Sequence, residues 1–109
     1  MTDKRICLTT CDSDEAAENL AQALVEQRLA ACVNVLPGVR SYYRWKGKIE
    51  SDSERLLLMK TTAGRVDSLR AAVLELHSYE TPEFVVIAVE DGSAAYLEWI
   101  AANVRYEET

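Results

Sequence analysis

Between Ala31 and Lys60 the chain reads as two strands folded back on each other, and their length is the first limit on what it can fold into. The turn is Lys46-Gly47-Lys48, with Gly47 supplying the positive φ that a tight hairpin needs. β-Favouring side chains flank it: Val39, Tyr42, Tyr43 and Trp45 before, Ile49 and Leu56-Leu57-Leu58-Met59 after. A strand from Lys48 to Thr61 spans roughly 45 Å at about 3.3 Å per residue, whereas a compact chain of this size has a radius of gyration of about 13 Å. Part of the hairpin must therefore leave its own core and find a neighbour.

At 109 residues, 49% apolar and 28% charged, the sequence predicts one globular domain over 1–109 with a modest core. Eighteen acidic against twelve basic residues, a net charge of −6, disfavours a phosphate-tracking surface, so nucleic acid is not an expected partner. No apolar run reaches the roughly 18 residues of a membrane span. Met1 to Arg5 leads straight into a strand pattern, so the expected compartment is the cytoplasm. Cys7, Cys11 and Cys32 are an odd number and read as free thiols.

Arg5–Cys11 reads as a first strand, followed by a helix to about Leu29 with Asp12 as N-cap and Glu15 completing a capping box. Its inward stripe is Ala17, Leu20, Ala21, Leu24 and Val25. Pro37-Gly38 marks an edge or a bulge in the first hairpin strand. A second helix is predicted from Ala63 to His77, capped by Thr62, with Val66, Leu69, Val73 and Leu76 buried. Phe84–Val89 is a continuous apolar run, expected as a buried strand. Ser93 caps a last helix, and Glu107-Glu108-Thr109 reads as a frayed tail.

The order β-α-β-β-α-β with an extra C-terminal helix predicts an α+β sandwich of the split βαβ kind, with both main helices on one sheet face. The second face, apolar in its alternate positions, predicts self-association. With strands one and three taken as parallel neighbours, Cys11, Lys60, His77, Tyr79 and Glu83 meet on one rim, joined by Cys32. Cys7 and Cys32 read as core packing. Cys11, beside a helix N-terminus, stays open between structural and reactive roles. His77, the single histidine, reads as structural or as half of a soft-metal pair with Cys11. Tyr42, Tyr43 and Trp45 are better used as interface anchors than as a base-stacking platform. The arm charges Arg44, Lys46, Lys48, Glu50, Asp52 and Glu54 are expected to be a solvated or inter-subunit edge.

Three stretches together, Ala30-Ala31-Cys32-Val33-Asn34-Val35-Leu36-Pro37-Gly38-Val39, Ser41-Tyr42-Tyr43-Arg44-Trp45-Lys46-Gly47-Lys48-Ile49 and His77-Ser78-Tyr79-Glu80-Thr81-Pro82-Glu83, with Lys60-Thr61-Thr62 between, closely resemble the CutA divalent-cation tolerance proteins. The resemblance runs from Ile6 to Ile100. It implies a ferredoxin-like fold assembled as a PII-like homotrimer in which the long hairpins exchange strand contacts, and a link to copper tolerance. The copper ligands it implies are a cysteine near the end of the first strand and two adjacent histidines. His77 matches the second histidine, Leu76 stands at the first, and Thr10 holds the cysteine's place with Cys11 one residue later.

The resulting expectation is a non-enzymatic cytoplasmic binding or signalling protein with no required cofactor. It takes copper or another divalent cation, or a small ligand, in inter-subunit clefts near Lys60, Tyr79 and Glu83. The alternatives are a small enzyme using Lys60 or Cys11, and a structural scaffold for a protein partner.

Overall fold

The computed structural model describes residues 1–105; the expected frayed tail at Glu107-Glu108-Thr109 lies outside them. Its elements are β1 (Lys4–Cys11), α1 (Asp14–Glu26), β2 (Cys32–Trp45), β3 (Lys48–Thr62), a 3-10 turn (Ala63–Arg65), α2 (Val66–Leu76), β4 (Val85–Ala88) and α3 (Ala94–Asn103).

Local chemistry sets the ends of these elements. Ser13, not Asp12, caps α1: its Oγ accepts from the Ala16 amide at 3.1 Å, and Asp14 and Glu15 then sit in the first turn, where the helix dipole favours negative charge. The helix stops at Glu26, before the expected Leu29, because Arg28 takes a left-handed conformation, φ 56°. The Leu29 amide then reaches back to the Leu24 carbonyl at 3.0 Å, and Arg28 to Val25 at 3.1 Å, a Schellman closure without its usual glycine. Thr62 makes no side-chain cap, and a 3-10 turn separates it from α2. Ser93 caps α3 as expected, accepting from the Tyr96 amide.

The hairpin closes through Lys46 and Gly47, φ 50° and 80°, with Trp45 opposite Lys48. Two consecutive positive φ values give the twist that a two-residue hairpin loop requires. The register slips between Leu36 and Val39, at the expected Pro37-Gly38 bulge. Principal extents of 47 × 31 × 22 Å and a radius of gyration of 14.6 Å show the arm projecting from the body.

The sheet runs β2-β3-β1-β4, and every neighbouring pair is antiparallel. The expected parallel pairing of β1 with β3 is therefore wrong, and the correction relocates a residue. Two split βαβ crossovers leave the intervening strand antiparallel to both of its neighbours. Ile6 faces Lys60 and Cys11 faces Arg55, so Lys60 lies about 17 Å from the Cys11 end, counting five residues of strand.

One face packs under α1 and α2. Cys7, Leu57, Met59, Leu24, Leu69 and Val73 have essentially no exposure there, and each buried Leu- or Val-sized side chain is worth about 1.5–3 kcal/mol. Thr61 ties the sheet to the end of α1 by donating to the Leu29 carbonyl at 2.8 Å. Leu76 and Val25, expected to be inward, are about half exposed at the ends of their helices.

The opposite face is covered only in part. Ala31, Ile100 and Val104 make a small second cluster under α3. Ile6, Leu8, Leu56 and Leu58 are half-buried, while Leu36, Val85 and Ile87 are exposed. The apolar run in β4 is thus an exposed edge strand rather than the expected buried one, because the sheet order leaves it β1 as its single strand neighbour.

Candidate functional site

Two concavities lie at the Cys11 end of the sheet, one on each face. Successive residues of a strand point to opposite faces, so Thr10 and Cys11 divide between them. The helix-side pocket, about 210 Å³, holds Cys11, Leu76 and His77. The arm-side cleft, about 760 Å³, holds Thr10, Tyr42, Tyr43, Trp45, Tyr79 and Glu83.

The structure does bring Cys11 and His77 to one pocket, but their chemistry is already committed. The Tyr79 amide donates to His77 Nδ1 at 3.1 Å, so the ring proton sits on Nε2 and is donated to the Thr10 carbonyl at 2.6 Å. Neither nitrogen keeps a lone pair for a metal or a free site for proton transfer. The Cys11 thiol is 3% exposed and is pushed up to about 11, chiefly by burial, with the Asp12 and Glu54 carboxylates adding to it. A protonated thiol is a poor nucleophile. The helix N-terminus nearby does not offset this. Cys7 behaves likewise: burial lifts its thiol to about 11 against the opposing pull of Arg70 and Arg5.

His77 instead begins a polar relay. Its ring lies 4.5 Å from that of Tyr79, and the Tyr79 hydroxyl donates to Glu54 Oε2 at 2.7 Å. Burial and the Glu54 carboxylate together raise Tyr79 far above the usual phenol range, so it remains a hydrogen-bond donor. Glu54 is 7% exposed and does not belong to the solvated edge expected for the arm charges. The Pro37-Gly38 bulge sets it opposite Val39, at the foot of the arm, and Tyr79 closes over it. Its parity with Leu56 and Leu58, which places all three on one face, was the available signal; the polar run Glu50 to Ser53 masked it.

The other residues divide as follows. Glu83 joins Tyr79 at the arm-side cleft. Lys60 does not: it sits at the opposite end of the sheet beside Cys32, donating from Nζ to the Tyr96 hydroxyl at 3.2 Å, with the Tyr96 ring centroid 5.4 Å away. Tyr42, Tyr43 and Trp45 wall the cleft and are 70%, 41% and 41% exposed. Tyr43 donates to Asp52 across the arm, and that bond lifts its phenol to about 12.

Against known proteins, residues 5–103 match the family described as CutA1 divalent ion tolerance protein. This chain belongs to the CutA1 family. The divalent-cation tolerance protein CutA of Thermus thermophilus is 45% identical over 100 residues, covering 92% of this chain and 97% of its own. The chloroplastic CutA of Arabidopsis thaliana is 40% identical over 100 residues, covering 92% of this chain; the chain spans about half (55%) of that plant relative. The CutA crystal structure from Xylella fastidiosa superposes with a TM-score of 0.93 at 40% identity, covering 95% of this chain and all of that one.

CutA1 membership raises the question of a divalent cation, and the fit can be tested on the donors present. Cys11 and His77 share a pocket, but both ring nitrogens of His77 are engaged in hydrogen bonds, so the pair as it stands does not fit an ion. Among the described residues no group of three or more His, Cys, Asp and Glu is gathered to hold a metal ion. No helix among them is long and apolar enough to cross a membrane.

Proposed function

We propose that this CutA1 chain works as a cytoplasmic homotrimer, PII-like in architecture, that responds to divalent-cation stress without catalysing a reaction, and that the arm-side cleft around Tyr79 and Glu83 is its ligand site. The observation that carries the assembly is the bare sheet face: Ile6, Leu8, Leu56 and Leu58 half-buried, Val85 and Ile87 exposed, and an arm tipped with exposed Tyr42, Tyr43 and Trp45. A patch of that kind marks an association surface. The number three comes from the family resemblance.

The tolerance role rests on the names of the relatives. Copper, or another divalent cation, is the stress signal in this reading, and Cys11 and His77 are assigned no part in holding it. The enzymatic alternative has little chemistry behind it: the Cys11 thiol stays protonated and Lys60 lies at the wrong end of the sheet. Sedimentation equilibrium at low micromolar concentration tests the assembly. The expected species is a trimer of 12.2 kDa chains, and a stable 12.2 kDa monomer would sink it.

A further inference from the structure

We infer that the groove between α1 and the end of α2 docks a basic protein segment: a peptide that seats one bulky apolar side chain in the helix-side pocket, with lysine or arginine on either side of it. This stands apart from the ligand reading of the arm-side cleft. The groove lies on the other side of the sheet, which an assembly built on the bare face leaves outward.

The pocket supplies the anchor point. Its α1 wall is Ala16, Leu20 and Ala23, spaced i, i+4, i+7 along one flank of the helix, and Leu76 closes it from α2. Leu76 is 52% exposed although the spacing of α2 assigns it to the buried stripe, so a large apolar side chain stands at the lip half open to water. The floor carries no charge: Cys11 stays a thiol, and His77 has both ring nitrogens in hydrogen bonds. A volume of about 210 Å³ accepts a leucine- or phenylalanine-sized group, since apolar cavities of about 150 Å³ already take benzene.

The lips supply the charge. Glu15 lies one turn before Asn19, which lines the pocket, and Glu75 adjoins Leu76; both carboxylates are exposed. Glu15 gains from the positive end of its own helix. Glu75 does not: it sits in the last turn of α2, where the dipole disfavours a carboxylate, and no basic residue shares that turn. Neither joins an ion pair among the described residues. No lysine or arginine occurs from Asp14 to Glu26 or between Arg70 and Arg105. Arg55, which reaches the start of α1 from β3, is held by Asp14 and the Asp12 carbonyl. An apolar socket between two unneutralised carboxylates is complementary to an amphipathic basic segment, and it repels nucleic acid and anionic lipid.

The test uses the intact protein in its native assembly and a short amidated peptide with a central phenylalanine flanked by lysines, titrated by calorimetry. Saturable binding is expected, weakened by added salt and about tenfold or more by Glu15→Lys combined with Glu75→Lys. Leu76→Ala, which removes the outer wall, should also weaken it, and so should Ala23→Leu, which fills the pocket from α1. Glu83→Gln, in the arm-side cleft, should leave it unchanged. Circular dichroism and sedimentation show which variants keep fold and assembly.

Equal binding of a peptide with glutamine for its lysines, or with alanine for its phenylalanine, would overturn the proposal. So would no binding by the well-formed assembly, or binding that the paired charge reversal leaves unchanged. A charge reversal that loosens the oligomer would overturn it too, because the basic arm tip of a second copy, with Arg44, Lys46 and Lys48, would then be the occupant. Flotation with phosphatidylcholine vesicles, abolished by Leu76→Ala, would overturn it in favour of a lipid surface.

Discussion

Tyr79 and Glu54, 25 positions apart, are joined by a 2.7 Å hydrogen bond that seals the loop after α2 onto the foot of the arm. The donor is a phenol held protonated and the acceptor a carboxylate removed from water, so the bond is charge-assisted. Tyr79→Phe should cost about 1.5–3 kcal/mol, because it leaves Glu54 buried without its donor. Glu54→Gln should cost less, since the amide can still accept. Urea unfolding of the two variants decides the order.

His77 should prove structural. His77→Ala removes two hydrogen bonds, to the Thr10 carbonyl and from the Tyr79 amide, and is expected to lower stability by about 1–3 kcal/mol. Copper titrated into the reduced protein should give the same weak heats for wild type and variant. Strong binding lost on mutation would restore the Cys11–His77 metal pair.

Both buried thiols predict an alkaline loss of stability. Cys7 and Cys11 ionise near 9.0 in a free chain and at about 11 when folded, so the folded state disfavours the thiolate. Their contribution is whole below about pH 9 and is lost as pH rises through about 11, roughly 1–3 kcal/mol for each. The thermal midpoint should fall over that window, and Cys11→Ala should flatten the fall. Alkylation at pH 8 should reach the half-buried Cys32 before either of them.

Thr9 offers a stabilising change. Its side chain is fully buried in the core face opposite Leu57, and Oγ1 has no hydrogen-bond partner among the described residues. Thr9→Val keeps the shape and removes the unsatisfied hydroxyl, so a gain of about 1–2 kcal/mol is expected in urea unfolding. A loss would show that Thr9 has a partner in solution.

Trp45→Ala should loosen the oligomer, and so should Ile87→Lys on the exposed edge strand, while neither disturbs the subunit core. Sedimentation velocity at low micromolar concentration, alongside circular dichroism, separates association from folding. Unchanged sedimentation of both variants would remove the arm and the bare face from the interface.

Local patterns carried much of this outcome. The helix stripes through Leu20 and Leu24 and through Val66, Leu69 and Val73, the Lys46-Gly47 turn and the Pro37-Gly38 bulge all declare themselves in spacing and residue type. The Schellman end of α1 did not, because an arginine does the work of the usual glycine. Burial in β4 misread for a different reason: an apolar run reports that a surface wants covering, not which chain covers it.

From the amino-acid order alone came the element sequence, the arm that exceeds its globule and the apolar second face, since these depend on neighbours in the chain and on side-chain periodicity. Strand direction within the sheet, and everything that follows from it, needed the folded molecule. It moved Lys60 away from Tyr79, set His77 Nε2 on the Thr10 carbonyl and joined Tyr79 to Glu54. Such contacts join residues tens of positions apart, and no local pattern encodes which donor will find which acceptor.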